Sequence, residues 1–180
     1  DVDWSFPVTV REVVMMGRYA HLGWLKWPRR RDEEAVGRAL EAMGLADLAK
    51  RQIGELSGGQ QQRVMIARTL TQEADLLLLD EPLNNLDVAT QEMIFHVLET
   101  LSQDGKAVIV STHDLGLLPI HFSRAVFLDQ RVVKDGPVDE VLTAETIAEA
   151  YGFRLCTECE EDGYMSPLQG MSAGEVQGKD

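Results

Sequence analysis

The chain has 180 residues, 44% of them hydrophobic and 26% charged, which is the composition of one globular domain with a substantial core. Its formal net charge of −13 argues against a nucleic-acid partner, because phosphate backbones favour surfaces rich in Lys and Arg. No apolar run approaches the roughly 20 residues that a membrane-spanning helix needs, and no signal peptide is visible.

Two helices are predicted in the first third of the chain. Thr9 and Glu12 fit a capping box that starts the first helix, and Gly17 is placed to end it. Asp32 can cap the second helix, whose apolar residues recur at helical spacing. These residues are Val36, Ala39, Leu40 and Met43. The pattern predicts a small helical subdomain over residues 1–56.

Strands alternate with helices in the rest of the pattern. The strands are expected at 76–79, 107–110, 125–128 and 132–133, and the helices at 59–70, 88–101, 138–142 and 145–151. The continuous apolar run Leu76–Leu79 is typical of a strand buried on both faces of a parallel sheet. This alternation predicts an α/β core over residues 57–151, and we expect the tail at 152–180 to be mobile.

A Ser-Gly-Gly turn opens the helix that is predicted from residue 59. The backbone N–H groups at a helix start are unpaired and lie at the positive end of the helix dipole, so they bind phosphate well. Glycine permits a close approach of the backbone, and a serine hydroxyl can add a hydrogen bond. Ser57, Gly58, Gly59 and Gln60 are therefore candidate phosphate ligands.

Two acids follow the first predicted strand, at the edge where α/β sheets bind their ligands. Hydrolysis of a metal-bound phosphate anhydride needs a carboxylate for Mg²⁺ and a residue that positions or deprotonates the attacking water. Asp80 at the strand end fits the metal role, and Glu81 fits the role at the water. Alone, this pair favours a functional role only modestly over an acidic turn after a core strand.

Taken together and in this order, the segments Leu56–Arg63 and Leu76–Pro82 resemble the signature and Walker B motifs of ABC-type ATPases. The resemblance implies a P-loop NTPase-like parallel sheet flanked by helices, with a small helical subdomain. It implies ATP and Mg²⁺ as cofactors. It also implies that the signature residues contact ATP bound to a second nucleotide-binding subunit, in a head-to-tail dimer.

Two further residues take their roles from this resemblance. His113 follows the second predicted strand and resembles the ABC switch histidine, which contacts the γ-phosphate and holds the attacking water. Asp87 matches the D-loop, which runs across the dimer interface, and is assigned to the nucleotide site. The residues before it, Asn84 and Asn85, depart from the small or hydroxyl residues that many members carry.

The N-terminal segment narrows the resemblance to the ATPases of the manganese, zinc and iron importer family. Val2–Val10 and Val14–Tyr19 are similar to the segment that follows the Q-loop glutamine there and receives the coupling helix of the permease. The resemblance implies a permease partner through residues near Phe6–Tyr19, and a substrate-binding protein indirectly. The implied function is ATP hydrolysis that energises metal-cation import, by a peripheral protein at the cytoplasmic face of the cell membrane.

Several elements of that family do not occur in the chain. No G-x-x-x-x-G-K-[ST] phosphate loop is found, and the Q-loop glutamine and the adenine-stacking aromatic residue would lie before Asp1. We therefore expect the C-terminal portion of a longer protein, inactive by itself. In the resembling fold, the strand that leads into the phosphate loop lies between the strands predicted at 107–110 and 125–128.

Three alternatives stay open from the sequence. The ATPase of an iron–siderophore importer shares every motif and differs only in cargo. A non-transport ABC protein acting on ribosomes or DNA would predict tandem cassettes, coiled-coil insertions or strongly basic surfaces, which this sequence lacks. A catalytically inactive interaction fragment is the third possibility.

The two cysteines of the chain, Cys156 and Cys159, form a lone C-x-x-C. A structural zinc site needs four ligands, and the chain has no second pair. We interpret both as reduced thiols without a defined role.

Overall fold

The computed structural model describes residues 6–22 and 27–152, which fall into two compact units, one up to His121 and one from Phe122. The interpretations of Cys156 and Cys159 and of the tail beyond Gly152 lie outside the described residues. Among the residues that are described, no helix has the length and apolar character needed to cross a membrane.

The first unit contains six α-helices and a pair of strands within the described ranges. In chain order these are α1 (Val10–Met15), α2 (Tyr19–Leu22), α3 (Arg30–Ala42), α4 (Gly58–Leu70), β1 (Leu76–Asp80), α5 (Val88–Gln103), β2 (Ala107–Ser111) and α6 (Leu118–His121). Short 3₁₀ helices lie at Met16–Arg18, Ala46–Leu48, Ile53–Glu55 and Leu115–Leu117. The second unit consists of β3 (Arg124–Asp129), β4 (Arg131–Pro137), α7 (Val138–Val141) and α8 (Ala144–Ala150).

The capping box at the start of α1 is confirmed. The Thr9 hydroxyl accepts from the backbone N–H of Glu12, and the Glu12 carboxylate accepts from the backbone N–H of Thr9. The predicted stop at Gly17 is wrong, because the chain continues through the 3₁₀ turn Met16–Arg18 into α2. Gly17 serves close packing instead: a Cβ there would lie 2.1 Å from the Thr71 hydroxyl oxygen, which leaves no room for any side chain.

Helix α3 begins two residues before the predicted cap. Its N-cap is Arg29, and Asp32 occupies the third helical position, so the prediction that Asp32 caps the helix is wrong. The Asp32 carboxylate nevertheless satisfies the helix start, because it accepts from the backbone N–H of Arg29 at 2.9 Å. Gly44 ends the helix with φ +60°, a conformation that glycine adopts without strain.

Helices α1, α3 and α4 pack around one apolar core. Its members are the fully buried side chains Val10, Val14, Val36, Met43, Leu45 and Val64. The three helices therefore form one compact group. The observed group includes α4, which lies beyond residue 56, and the division into a helical subdomain at 1–56 and a core at 57–151 stays a prediction.

Strands β1 and β2 pair in parallel, with Leu76 opposite Ala107 and Asp80 opposite Ser111, which confirms a parallel sheet. Burial on both faces is wrong for β1: Leu77 is buried at 4% exposure, whereas Leu78 is 68% exposed. Residues beyond this two-stranded sheet would be needed to cover its second face. In the second unit, strands β3 and β4 form an antiparallel hairpin.

Candidate functional site

The carboxyl ends of β1 and β2 bring the predicted catalytic residues together. Because Asp80 lies opposite Ser111 in the register, the Ser111 hydroxyl donates to the Asp80 carboxylate. The same hydroxyl oxygen accepts from the backbone N–H of Glu81 at 2.9 Å. Ser111 therefore holds both the carboxylate of Asp80, the candidate Mg²⁺ ligand, and the backbone of Glu81, the candidate that positions the attacking water.

Glu81 turns away from the strand in a left-handed conformation, with φ +43°. A glutamate seldom adopts this region, which costs of order 1–3 kcal/mol and is concentrated at functional sites. Its carboxylate receives the side-chain amide of Asn84 on one oxygen, and Nδ1 of His113 lies 3.3 Å from the other. Both side chains stay accessible, since Glu81 is 47% and His113 is 68% exposed.

This pairing gives Glu81 and His113 what a hydrolytic site needs. A carboxylate beside an imidazole, both open to solvent, can hold a water molecule and take up a proton from it. The contacts of Ser111 and Asn84 were missed by sequence reasoning. Ser111 directly follows an apolar strand, and Asn84 departs from its family pattern, so both positions carried a signal that was available.

Asp80 stands alone as a metal candidate. Across residues 6–22 and 27–152, no group of three or more His, Cys, Asp or Glu side chains is placed to hold an ion. A single carboxylate still fits Mg²⁺, which keeps several waters and is commonly bound through one or two carboxylates together with substrate phosphates. The residues present therefore fit a magnesium ion that arrives with a nucleotide, and they do not form a preassembled cage.

The signature residues form the start of α4. The Ser57 hydroxyl accepts from the backbone N–H of Gln60 at 3.4 Å, and the Gln60 side chain accepts from the backbone N–H of Ser57 at 3.0 Å. A Cβ on Gly58 would meet no atom within 4 Å, so the turn is open on that side. A Cβ on Gly59 would lie 3.2 Å from Leu86, so this turn lies against the segment that leads to α5.

Asp87 has a structural role that sequence reasoning did not assign. It is the N-cap of α5: its carboxylate accepts from the backbone N–H of Thr90 at 3.0 Å and from the Thr90 hydroxyl at 2.7 Å. These bonds, from the side chain first and then the backbone, hold the pKa of Asp87 below its usual value. An acid three residues before Thr90 at the start of an amphipathic run was the available signal.

The chain is similar in sequence to ATP-binding proteins of metal transport systems. A family model described as ABC transporter matches residues 4–84. The chain is 43% identical to the manganese transport system ATP-binding protein MntB of Halalkalibacterium halodurans, over 91% of this chain and 66% of that protein. It is 45% identical to the zinc transport system ATP-binding protein TroB of Treponema pallidum (86% and 58%) and 44% identical to the chelated iron transport system membrane protein YfeB of Yersinia pestis (84% and 51%).

The chain is also similar to solved structures of ABC transporter proteins. An inward-facing metal-chelate type ABC transporter is similar with a TM-score of 0.75 and 32% identity, over 84% of this chain and 62% of that one. The ADP conformation of an ATP-binding cassette of an ABC transporter is similar with a TM-score of 0.65 and 25% identity, over 81% and 63%. The chain spans between about half and two thirds of the length of these relatives.

Proposed function

We propose that this chain is part of an ATP-hydrolysing subunit of the ABC transporter family, one that energises import of a metal cation: manganese, zinc or iron. The observation that carries the proposal is the cluster of Asp80, Glu81, Ser111 and His113 at the ends of two parallel strands. The names of the relatives support the class of cargo, because manganese, zinc and chelated iron proteins are all similar over most of this chain.

Each residue of the cluster has a separate task in this proposal. Glu81 orients the attacking water and accepts its proton, and His113 holds the same water and the γ-phosphate in line. Asp80 would hold Mg²⁺, which supplies charge neutralisation to the phosphates when it is bound. Positioning and electrostatic stabilisation, without a covalent intermediate, would account for the rate.

The signature residues would act in trans. Ser57, Gly58, Gly59 and Gln60 would contact ATP held by a second nucleotide-binding subunit, and Asp87 would lie at that interface. The opening beside Gly58 supports this assignment, because a phosphate can approach the helix start there. ATP binding would then close a head-to-tail dimer, and hydrolysis would reopen it.

The permease partner would dock near Phe6–Tyr19. Phe6, which precedes α1 in the chain, is 62% exposed, and Tyr19, which follows it, is 58% exposed. Exposed aromatic residues of this kind are enriched in protein interfaces. The subunit would lie at the cytoplasmic face of the membrane, and a substrate-binding protein would act through the permease.

A related importer is the second candidate. The similarity to a chelated iron protein and to a metal-chelate type transporter favours an iron chelate, such as a siderophore complex, as an alternative cargo. Uptake assays with free metal ions and with iron chelates, in cells that lack the full-length protein, would separate the two.

The test of the proposal is Glu81→Gln in the full-length protein. Turnover should be lost while ATP still traps the dimer, because Glu81 acts on water and not on nucleotide affinity. Phosphate release and size-exclusion chromatography with Mg-ATP measure the two effects, and Glu41→Gln on an exposed part of α3 is the matched control. Wild-type turnover in Glu81→Gln, or loss of ATP binding, would contradict the assignment.

The 180-residue chain alone should neither bind ATP tightly nor hydrolyse it. It contains no phosphate loop, whose lysine and backbone amides hold the β- and γ-phosphates in this class of ATPase. Isothermal titration with Mg-ATP measures this directly. Micromolar binding would show that other residues of the chain hold the nucleotide.

A further inference from the structure

Arg18 is a buried cation with partners on two other segments of the first unit: α3 and the turn that follows α4. Its side chain donates from Nε to Asp32 at 3.0 Å, and from Nη1 to the backbone oxygen of Thr71 at 2.9 Å and to Glu73 at 2.7 Å. Arg18 is 3% exposed and Asp32 is completely buried. We refer to Arg18, Asp32, Thr71 and Glu73 as the Arg18 cluster.

The contacts around this cluster attach the end of α4 to the segment that follows α1. The Thr71 hydroxyl donates to the backbone oxygen of Val14 at 2.9 Å, and Gly17 allows the two backbones to approach closely. Nε2 of His21 lies 2.6 Å from the backbone oxygen of Gln72. Polar, directional contacts therefore hold this junction, where apolar packing holds the rest of the three-helix core.

The chemistry of the cluster suggests a role beyond stability. A buried ion pair often contributes no more than well-packed apolar residues of similar volume, because both charges lose their hydration. What the pair adds is a fixed geometry. The planar guanidinium group binds one acceptor on α3 and two in the turn after α4, and it satisfies all three at once in only one arrangement of these segments. Burial alone would lower the pKa of Arg18, but its bonds to Glu73 and Asp32 raise it, so the cation persists.

The location of the cluster relates it to both ends of α4. This helix has 13 residues, so it extends about 20 Å from the signature turn at Ser57 to the junction at Thr71. Arg18 is followed directly by Tyr19, which is exposed on the face assigned above to the permease. The helix start that would meet ATP and the surface that would meet the permease are thus joined through Arg18.

We propose that Arg18 is a positioning residue that makes α4 and the surface at Tyr19 move as one body when ATP closes the dimer. The Arg18 side chain is too buried to touch either partner, so it acts only through the junction. This inference rests on the proposed ATP-driven dimer. If the cluster were absent, α4 could follow the nucleotide while the surface at Tyr19 lagged behind, because coupling requires a connection with one fixed arrangement.

Distances between spin labels in the full-length protein test this proposal. One label at Tyr19→Cys reports the permease face, and a second at Glu55→Cys, an exposed position beside the signature turn, reports dimer closure. Each is measured separately, between the two subunits of the dimer, in a Glu81→Gln background with and without Mg-ATP. Cys156 and Cys159 are replaced by serine beforehand.

The variants change the cluster without leaving a buried charge alone. Arg18→Met with Asp32→Asn removes both members of the pair and keeps an acceptor for the helix start. Arg18→Lys keeps the charge but replaces the planar guanidinium fork with a single ammonium nitrogen. The control is Arg38→Met, which removes an exposed cation 3.4 Å from the same Glu73 carboxylate. In both cluster variants we expect the ATP-dependent change in spin-label distance to be unchanged at position 55 and lost or broadened at position 19. In Arg38→Met we expect both changes to remain as in the parent protein.

Other results have definite meanings. A shift of wild-type size and width at position 19 in both cluster variants would overturn the proposal. Loss of the shift at position 55 in both variants would also overturn it, because the cluster would then be needed for the helix itself. If neither position responds to ATP in the parent protein, the ATP-driven dimer of the proposed function is wrong instead.

Discussion

Gly17→Ala should destabilise the chain strongly, although alanine is ordinarily the better residue in a helix. The new methyl group would lie 2.1 Å from the Thr71 hydroxyl and 2.2 Å from the backbone oxygen of Arg68. Thr71 would have to give up its bonds to Val14 and Arg68, at about 1 kcal/mol each, and the helices would separate at about 1–3 kcal/mol. Alanine recovers at most about 1 kcal/mol of backbone entropy, so the net loss is about 2–4 kcal/mol.

Urea unfolding followed by circular dichroism measures this loss. At an m-value near 2 kcal/mol per molar, a loss of about 3 kcal/mol lowers the midpoint by roughly 1.5 M. Gly37→Ala is the matched control: it lies within α3, a Cβ there meets nothing within 4 Å, and the change should stabilise by about 0.5–1 kcal/mol. A Gly17→Ala midpoint within experimental error of wild type would refute the close packing of α4 against this turn.

Four other substitutions have defined outcomes. The backbone N–H of Arg29 and then the Arg18 side chain lower the pKa of Asp32. Asp32 therefore stabilises the fold above its unfolded pKa of about 3.9, and this contribution is lost as the pH falls through its folded pKa. Asp32→Asn should flatten the fall in unfolding free energy between about pH 5 and 2, and an unchanged slope would contradict this. Asp87→Ala should cost about 1 kcal/mol in thermal or urea unfolding through loss of the α5 cap. Leu77→Ala should cost about 2–5 kcal/mol, whereas Leu78→Lys should leave stability within about 0.5 kcal/mol and reduce aggregation in light scattering; similar costs at both positions would contradict the one-sided burial of β1.

Features that depend on neighbouring residues were predictable from the sequence. The capping box of Thr9 and Glu12 needs only a four-residue pattern, and the structure forms it as expected. The prediction that Gly17 ends the helix was wrong because this glycine is needed for close packing against Thr71. Thr71 lies far along the chain, so sequence periodicity cannot reveal the contact. The prediction that Asp32 caps α3 was wrong for a related reason. Asp32 lies at the third helical position, where its carboxylate binds Arg18, a residue that sequence periodicity does not connect to it.

The candidate site was predictable to the level of its strands. Residues after two parallel strands meet at one edge of the sheet, so the proximity of Glu81 and His113 follows from the pattern. The hydroxyl of Ser111 and the amide of Asn84 depend on side-chain placement, which no spacing rule supplies. The run Leu76–Leu79 predicted burial on both faces, but a run cannot say which other residues cover each face.

The left-handed backbone of Glu81 sets stability against turnover at a single position. Glycine would occupy φ +43° without strain, so Glu81→Gly should raise the unfolding free energy by about 1 kcal/mol or more while removing the carboxylate assigned to hydrolysis. Directed evolution of this chain for heat tolerance alone would therefore favour loss of the residue on which the proposed activity depends. Thermostability screens of the full-length protein should keep position 81 fixed, or select for ATP hydrolysis at the same time.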